Sequence, residues 1–133
     1  MAEMDRNAQV LYLRDVRDLE IAMYKLQKEY EELTAKYKLQ KERVESSAKA
    51  SNELENRFIQ TQEYLRAEYR KVQERLLSYY DQKVLPAQFR NLEAVSYLYD
   101  YMSASSKTLQ SAIYSYSLES DRNITSRLNH LFE

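Results

Sequence analysis

Glycine, cysteine and tryptophan are missing altogether from these 133 residues, and proline occurs once, at Pro86. Without glycine and proline the usual turn and helix-breaking residues are nearly gone, so the chain is predicted to form long helices. The lack of cysteine excludes a disulfide framework and a thiolate metal site, which suits a reducing compartment and points to a cytoplasmic location. Neither sign of charge is in excess: 20 Lys and Arg stand against 21 Asp and Glu, a formal net charge of -1. That balance lacks the basic footprint that phosphate neutralisation requires, so nucleic acid is not an expected partner. Also missing is any apolar run of roughly 18 residues, the length that spans a bilayer. Residues Met1 to Val10 have no apolar signal-peptide core either, so no membrane insertion is expected. What is present, 31% charged and 44% apolar residues, is the composition of a soluble chain whose length fits one helical domain, 1–133.

The clearest pattern is a stripe at Tyr12, Val16, Leu19, Met23, Leu26, Tyr30, Leu33, Tyr37, Gln40 and Val44, with spacings of four and three in alternation. This is a heptad repeat. Val16, Met23, Tyr30, Tyr37 and Val44 hold one core position (a), and Tyr12, Leu19, Leu26, Leu33 and Gln40 the other (d). The predicted heptad core is therefore Val16, Leu19, Met23, Leu26, Tyr30, Leu33 and Tyr37. The small polar stretch Ser46 to Ser51, followed by Asn52 and by Glu55 three residues on, reads as a turn and a capping pair. The rival reading is one uninterrupted helix from about residue 8 to 83, roughly 110 Å long.

A second stripe runs through Leu54, Phe58, Leu65, Tyr69, Val72, Leu76 and Tyr80 and stops before Pro86, which disfavours a helical Leu85. Leu92, Val95, Tyr97, Leu98, Tyr99, Tyr101 and Met102 then form a short segment that is apolar on several faces and must be buried. Ser103 to Ser106 supply turn and capping chemistry, and Leu109, Ile113, Tyr116, Ile124, Leu128 and Leu131 mark a last helix. The expected fold is all-α: a long antiparallel coiled-coil hairpin plus two shorter C-terminal helices in a helical bundle. Its expected elements are a helix over 8–45, a turn over 46–52, a helix over 53–83, a proline loop over 84–90, and helices over 91–102 and 106–132.

Charges beside the first stripe bear on orientation. A parallel homodimer would pair Asp15 with Glu20 and Lys36 with Lys41, both repulsive, and no attractive pair forms. An antiparallel arrangement places Asp15 near Arg43 and Glu20 near Lys41, with Glu29 meeting itself as the clash. Each exposed pair is worth only about 0.2–1 kcal/mol, enough to choose between arrangements but not to explain stability. A lone hairpin leaves one side of its stripe uncovered, so either the C-terminal helices fold back along it as a monomeric bundle or a second hairpin covers it; a homodimer, or docking of a protein partner, is expected because residues 107–133 have a sparse apolar stripe.

Catalytic chemistry finds no support. Arg14 and Asp18, and Arg17 and Glu20, are spaced like charges on any solvated helix face. His130 is the only histidine, so the paired Glu-x-x-His motifs of a di-iron bundle cannot form, and no metal or other cofactor is expected. No serine sits in a nucleophile elbow, and the carboxylates lie in solvated runs such as Glu29, Glu31 and Glu32. The segment that stands out is Val84 to Ser103. The alternate tyrosines point around a helix, so Phe89, Arg90, Tyr97, Tyr99 and Tyr101 either cap the open end of the hairpin or, as residue types enriched in hot spots, form an interface.

The stretches Tyr12–Glu20 (YLRDVRDLE) and Leu85–Ser103 (LPAQFRNLEAVSYLYDYMS) resemble a set of small uncharacterised coiled-coil proteins of Firmicutes, including gut Clostridia. The resemblance covers about a quarter of the chain and implies a bacterial origin and no particular activity. Members carry a hydrophobic, membrane-spanning region between the two stretches, whereas residues 21–84 here hold only heptads. The leading expectation is a non-enzymatic structural or interaction protein. A second is a small helical substrate or chaperone of a specialised secretion system, because Tyr64 and Glu68 fit a loose Tyr-x-x-x-Asp/Glu export signal, although the Trp-Xaa-Gly turn of one such family cannot exist here. A third, prompted by the missing glycine, is an engineered or solubilised bundle, against which the Tyr- and Ser-rich last third is less idealised than designs usually are.

Overall fold

A computed structural model describes residues 4–44 and 46–131, with side chains described as far as residue 120. The fold is all-α. Helix α1 (Arg6–Val44) is followed by α2 (Ala48–Tyr80), a 3-10 turn (Ala87–Phe89), α3 (Leu92–Ala104) and α4 (Leu109–Leu131). Among the described residues, no helix is long and apolar enough to cross a membrane. The chain divides into two compact units, 1–18 with 82–133, and 19–81.

The unit of residues 19–81 is an antiparallel helix pair. Tyr37 stacks on Phe58 with ring centroids 4.2 Å apart. The Gln62 amide donates to the Tyr30 hydroxyl at 2.9 Å, and the Tyr80 hydroxyl donates to Glu20 Oε1 at 2.6 Å. The turn between the helices is tighter than the serine- and alanine-rich sequence suggests. Ser47 N donates to Val44 O, and the Ser47 hydroxyl accepts from Ala50 N, so α2 begins at Ala48, five residues before the expected start. The reason is propensity: Ala48, Lys49 and Ala50 are good helix formers, and one serine cap suffices to start them. Asn52 and Glu55 lie inside α2 rather than at its cap. At the other end α2 stops at Tyr80, three residues early, where Asp81 N donates to Leu77 O at 2.8 Å. Lys83 then takes a positive φ of 57°, a left-handed position that costs a non-glycine residue about 1–2 kcal/mol.

The other unit is built around the first residues of α1. Tyr12, Leu13 and Val16 are buried, as are Leu85, Phe89, Ala94, Val95, Leu98, Met102, Leu109 and Ala112. In α3 the buried positions 94, 95, 98 and 102 form one continuous face, which is why so apolar a segment is stable. Each helix start has its own cap. The Asp5 carboxylate accepts from Ala8 N, Asn91 from Ala94 N, and the Thr108 hydroxyl from Ser111 N, so α4 starts at Leu109 rather than at 106. Ser105 closes the preceding turn, its hydroxyl donating to Tyr101 O and accepting from Lys107 N.

The C-terminus of α3 has no basic residue in its last turn. Its exposed carbonyl end is capped from another helix: the Arg6 guanidinium donates to the carbonyls of Met102, Ser105 and Lys107. An arginine suits this position because its planar fork satisfies several acceptors at once. Arg6→Ala should lower stability by about 1–3 kcal/mol, and Arg6→Lys should recover only part of it. Thermal or denaturant unfolding checks this; an unchanged midpoint for Arg6→Ala would show that the carbonyls are equally satisfied by water.

Candidate interaction surfaces

The heptad residues divide sharply by environment. Tyr12 and Val16 are buried, and so is Leu13, which sequence periodicity did not mark because it lies beside the stripe. Leu19, Met23, Leu26, Tyr30, Leu33 and Tyr37 are only half-buried. On α2, Leu65, Leu76 and Tyr80 are buried, whereas Leu54, Phe58, Tyr69 and Val72 are half-buried. The expected core between Leu19 and Tyr37 is therefore a seam covered on one side only.

This seam opens into clefts along two different edges of the helix pair. On one edge, Leu26, Gln27, Tyr30, Leu65, Arg66 and Tyr69 enclose about 300 Å³. The Gln62 amide first, and Arg66 second, hold the Tyr30 phenol below its ordinary pKa, so this edge carries a polarised hydroxyl over an apolar floor. On the other edge, Leu33, Lys36, Tyr37, Gln40, Leu54, Arg57, Phe58 and Thr61 enclose about 110 Å³. Next to it, Arg43, Val44, Ala50 and Glu53, together with Gln40, Leu54 and Arg57, line a further cleft of about 240 Å³. Three cations and one carboxylate thus rim the second edge around Tyr37 and Phe58.

The segment 84–103 is used differently. Phe89 is buried at 4% exposure and meets Tyr116 edge-on, with centroids 5.6 Å apart. Tyr97 stacks on Tyr101 and meets Tyr116 edge-on at 5.2 Å, while its hydroxyl lies 2.6 Å from that of Ser115. Tyr99 lies under the Arg17 guanidinium at 4.2 Å, and Arg90 Nε donates to Leu85 O at 3.0 Å. Phe89 is thus a core residue, and Tyr97, Tyr99, Tyr101 and Arg90 all have partners within their own unit. The alternate tyrosine spacing does face two layers, and both belong to this chain: α4 on one side and α1 on the other. Arg17 pairs with Asp18, and Arg14 with Asp15, rather than with the residues three and four away.

Among the described residues, no group of three His, Cys, Asp or Glu side chains is placed to hold a metal ion. His130 lies outside the residues whose side chains are described, as do Ile124, Leu128 and Leu131. No protein-family model, curated protein or solved structure matches the chain.

Burial first, and the charge of Glu93 second, raise the Tyr116 phenol above its ordinary pKa. A folded-state pKa above the unfolded one contributes stability that is complete below the unfolded value, about 10, and is lost as pH rises through the folded value. Tyr116→Phe keeps the ring and removes the titration. Its melting temperature should fall less steeply above pH 10 than that of the parent chain, and superimposable alkaline limbs would show that the Tyr116 hydroxyl is not involved.

Proposed function

We propose that the chain is a non-enzymatic coiled-coil interaction protein whose antiparallel helix pair associates through its half-covered heptad seam, with a second copy or with another protein's helix. The observation that carries this reading is the contrast within α1. The same repeat that is sealed at Val16 is left half-open from Leu19 to Tyr37. Half-open leucine, tyrosine and phenylalanine on both helices make a continuous apolar strip of the kind that marks association surfaces on soluble proteins. The charged rim fits the same role, because charges beside a coiled-coil seam select partner and orientation while the seam supplies most of the energy.

The segment 84–104 serves this reading as scaffold. Its aromatic residues hold α3, α4 and the start of α1 together and leave the seam of 19–81 as the surface with most to gain from a partner.

Single cysteines at Leu33 and Phe58 test the reading, since the chain has no other thiol. Thiol labelling should slow as protein concentration rises or when a partner is bound, and the melting temperature should rise with concentration if the chain self-associates. A 16.0 kDa species at every concentration, with both thiols labelled as fast in cell extract as in buffer, would show the seam to be free of partners.

A further inference from the structure

We infer that the edge of the helix pair rimmed by Lys36 and Arg57 is self-complementary, and that a second copy seats on it with its helices reversed, across a two-fold axis. The axis passes between residues 32 and 33 of α1 and between residues 62 and 63 of α2. This inference rests on the coiled-coil reading above and specifies its partner, orientation and register.

The residues of this edge follow from the clefts and the heptad spacing. Lys36 and Arg43 line the clefts from α1, and Glu29 and Ala22 occupy the same helix edge one and two heptads earlier. From α2, Glu53, Arg57 and Thr61 line the clefts, and Tyr64, Glu68, Lys71 and Arg75 continue the edge at heptad intervals. Tyr64 is 64% exposed, and Lys36, Glu29, Arg57, Thr61 and Lys71 are also exposed.

A two-fold axis at the stated level makes these residues match. On α1, Lys36 falls opposite the second copy's Glu29, and by symmetry Glu29 falls opposite its Lys36. On α2, Arg57 falls opposite the second copy's Glu68, Thr61 opposite its Tyr64, and Glu53 within one residue of its Lys71. Glu68 and Lys71 already touch at 3.4 Å within one chain. The second copy's Arg57 and Glu53 would therefore extend that pair into a four-membered row of alternating charge. The remaining cations, Arg43 and Arg75, fall opposite the small residues Ala22 and Ala50, so none of these named charges meets its like.

Three further points favour this arrangement. First, the centre for α1 and the centre for α2 are set by different residues, yet both lie at one level. The Tyr30–Gln62 hydrogen bond and the Tyr37–Phe58 stack hold residues 30–37 beside residues 58–62. Second, the alternative two-fold, running along the helices, would set Lys36 beside the second copy's Arg57 and Glu29 beside its Glu68, pairing like with like. Third, the register that sets Glu29 against itself is relieved by a shift that brings Lys36 opposite it, and the Glu20 carboxylate that register would use is held by the Tyr80 hydroxyl. An isologous interface needs this kind of self-matching pattern.

The absence of cysteine allows a direct test on the full chain. A mixture of the variants Glu29→Cys and Lys36→Cys should form a mixed disulfide on mild oxidation much faster than either variant alone, and Thr61→Cys mixed with Tyr64→Cys should behave likewise. Lys36→Glu should weaken self-association about tenfold, since it sets two pairs of like charges against each other. Adding Glu29→Lys to the same chain should restore it, because the two-fold then exchanges both members of each pair. Circular dichroism of each variant verifies folding, and the rescued double variant guards against a loss caused by misfolding. A dimer with no preference for the 29–36 bond, or one not rescued by the charge swap, would overturn this register while leaving the coiled-coil reading in place. A monomer in pure solution whose seam is protected in cell extract would overturn the second copy as partner and again spare the broader reading.

Discussion

Two helices lying side by side can shield only one stripe of each other, and that constraint governs the unit of residues 19–81. Most side chains on the shared seam contact the opposing helix on one flank and water on the other, with Leu65, Leu76 and Tyr80 of α2 the buried exceptions. This is why Leu26, Leu33 and Phe58 are half-buried although they hold heptad positions. Around Tyr12 and Val16 the same helix packs in a unit that also contains α3 and α4, and there even Leu13, outside the repeat, is sealed from solvent. One continuous helix therefore serves two packing problems, and the difference lies in the number of neighbours rather than in the repeat.

The chain solves its turns without glycine, and the consequences are local and identifiable. Side-chain caps at Asp5, Ser47, Asn91 and Thr108 replace the backbone freedom that glycine would bring to the connections. Where a left-handed residue is required, Lys83 supplies it at a cost in strain. At the end of α3, where Ser105 satisfies only the Tyr101 carbonyl, Arg6 reaches the carbonyls of Met102 and Ser105 from almost a hundred residues earlier in the chain. That hydrogen bonding ties the start of α1 to the turn before α4, so it stabilises tertiary structure and the helix end together.

Periodicity made the helices and the antiparallel pairing legible, because heptad spacing and the single proline are features of the sequence itself. Helix boundaries were less legible. Ser46 to Ser51 looks like a turn by composition, but α1 runs to Val44 and α2 starts at Ala48, where alanines draw the rest of the stretch into the helix. The aromatic residues of 84–103 were legible as special, and packing within the chain was one of two readings that composition could not separate. Exposed hot-spot tyrosines and packed tyrosines have the same composition, and only the positions of Tyr116, Ser115 and Arg17 in space show that these rings are occupied within the chain. Arg6 was invisible, since nothing local to it or to α3 signals so distant a cap.

Tyrosine is the natural residue for a seam with one wet flank. Its ring packs like phenylalanine, and its hydroxyl needs a partner that a fully dry core seldom offers. Tyr30 finds Gln62 and Tyr80 finds Glu20, so these hydroxyls are satisfied within the pair and add to its register. The two edges then differ in chemistry. On the Tyr30 edge, Gln62 and Arg66 are both engaged with the phenol oxygen. The Lys36 edge carries exposed charges of both signs on both helices, Glu29 and Lys36 on α1 and Glu53, Arg57 and Lys71 on α2. Exposed charges of this kind contribute little to the stability of one helix pair, but opposite a complementary row they favour one register over its neighbours, because a shift of one heptad sets either Lys36 or Glu29 against its own copy. An apolar seam alone would allow many alignments, and in the proposed dimer it is the charged edge that would choose among them.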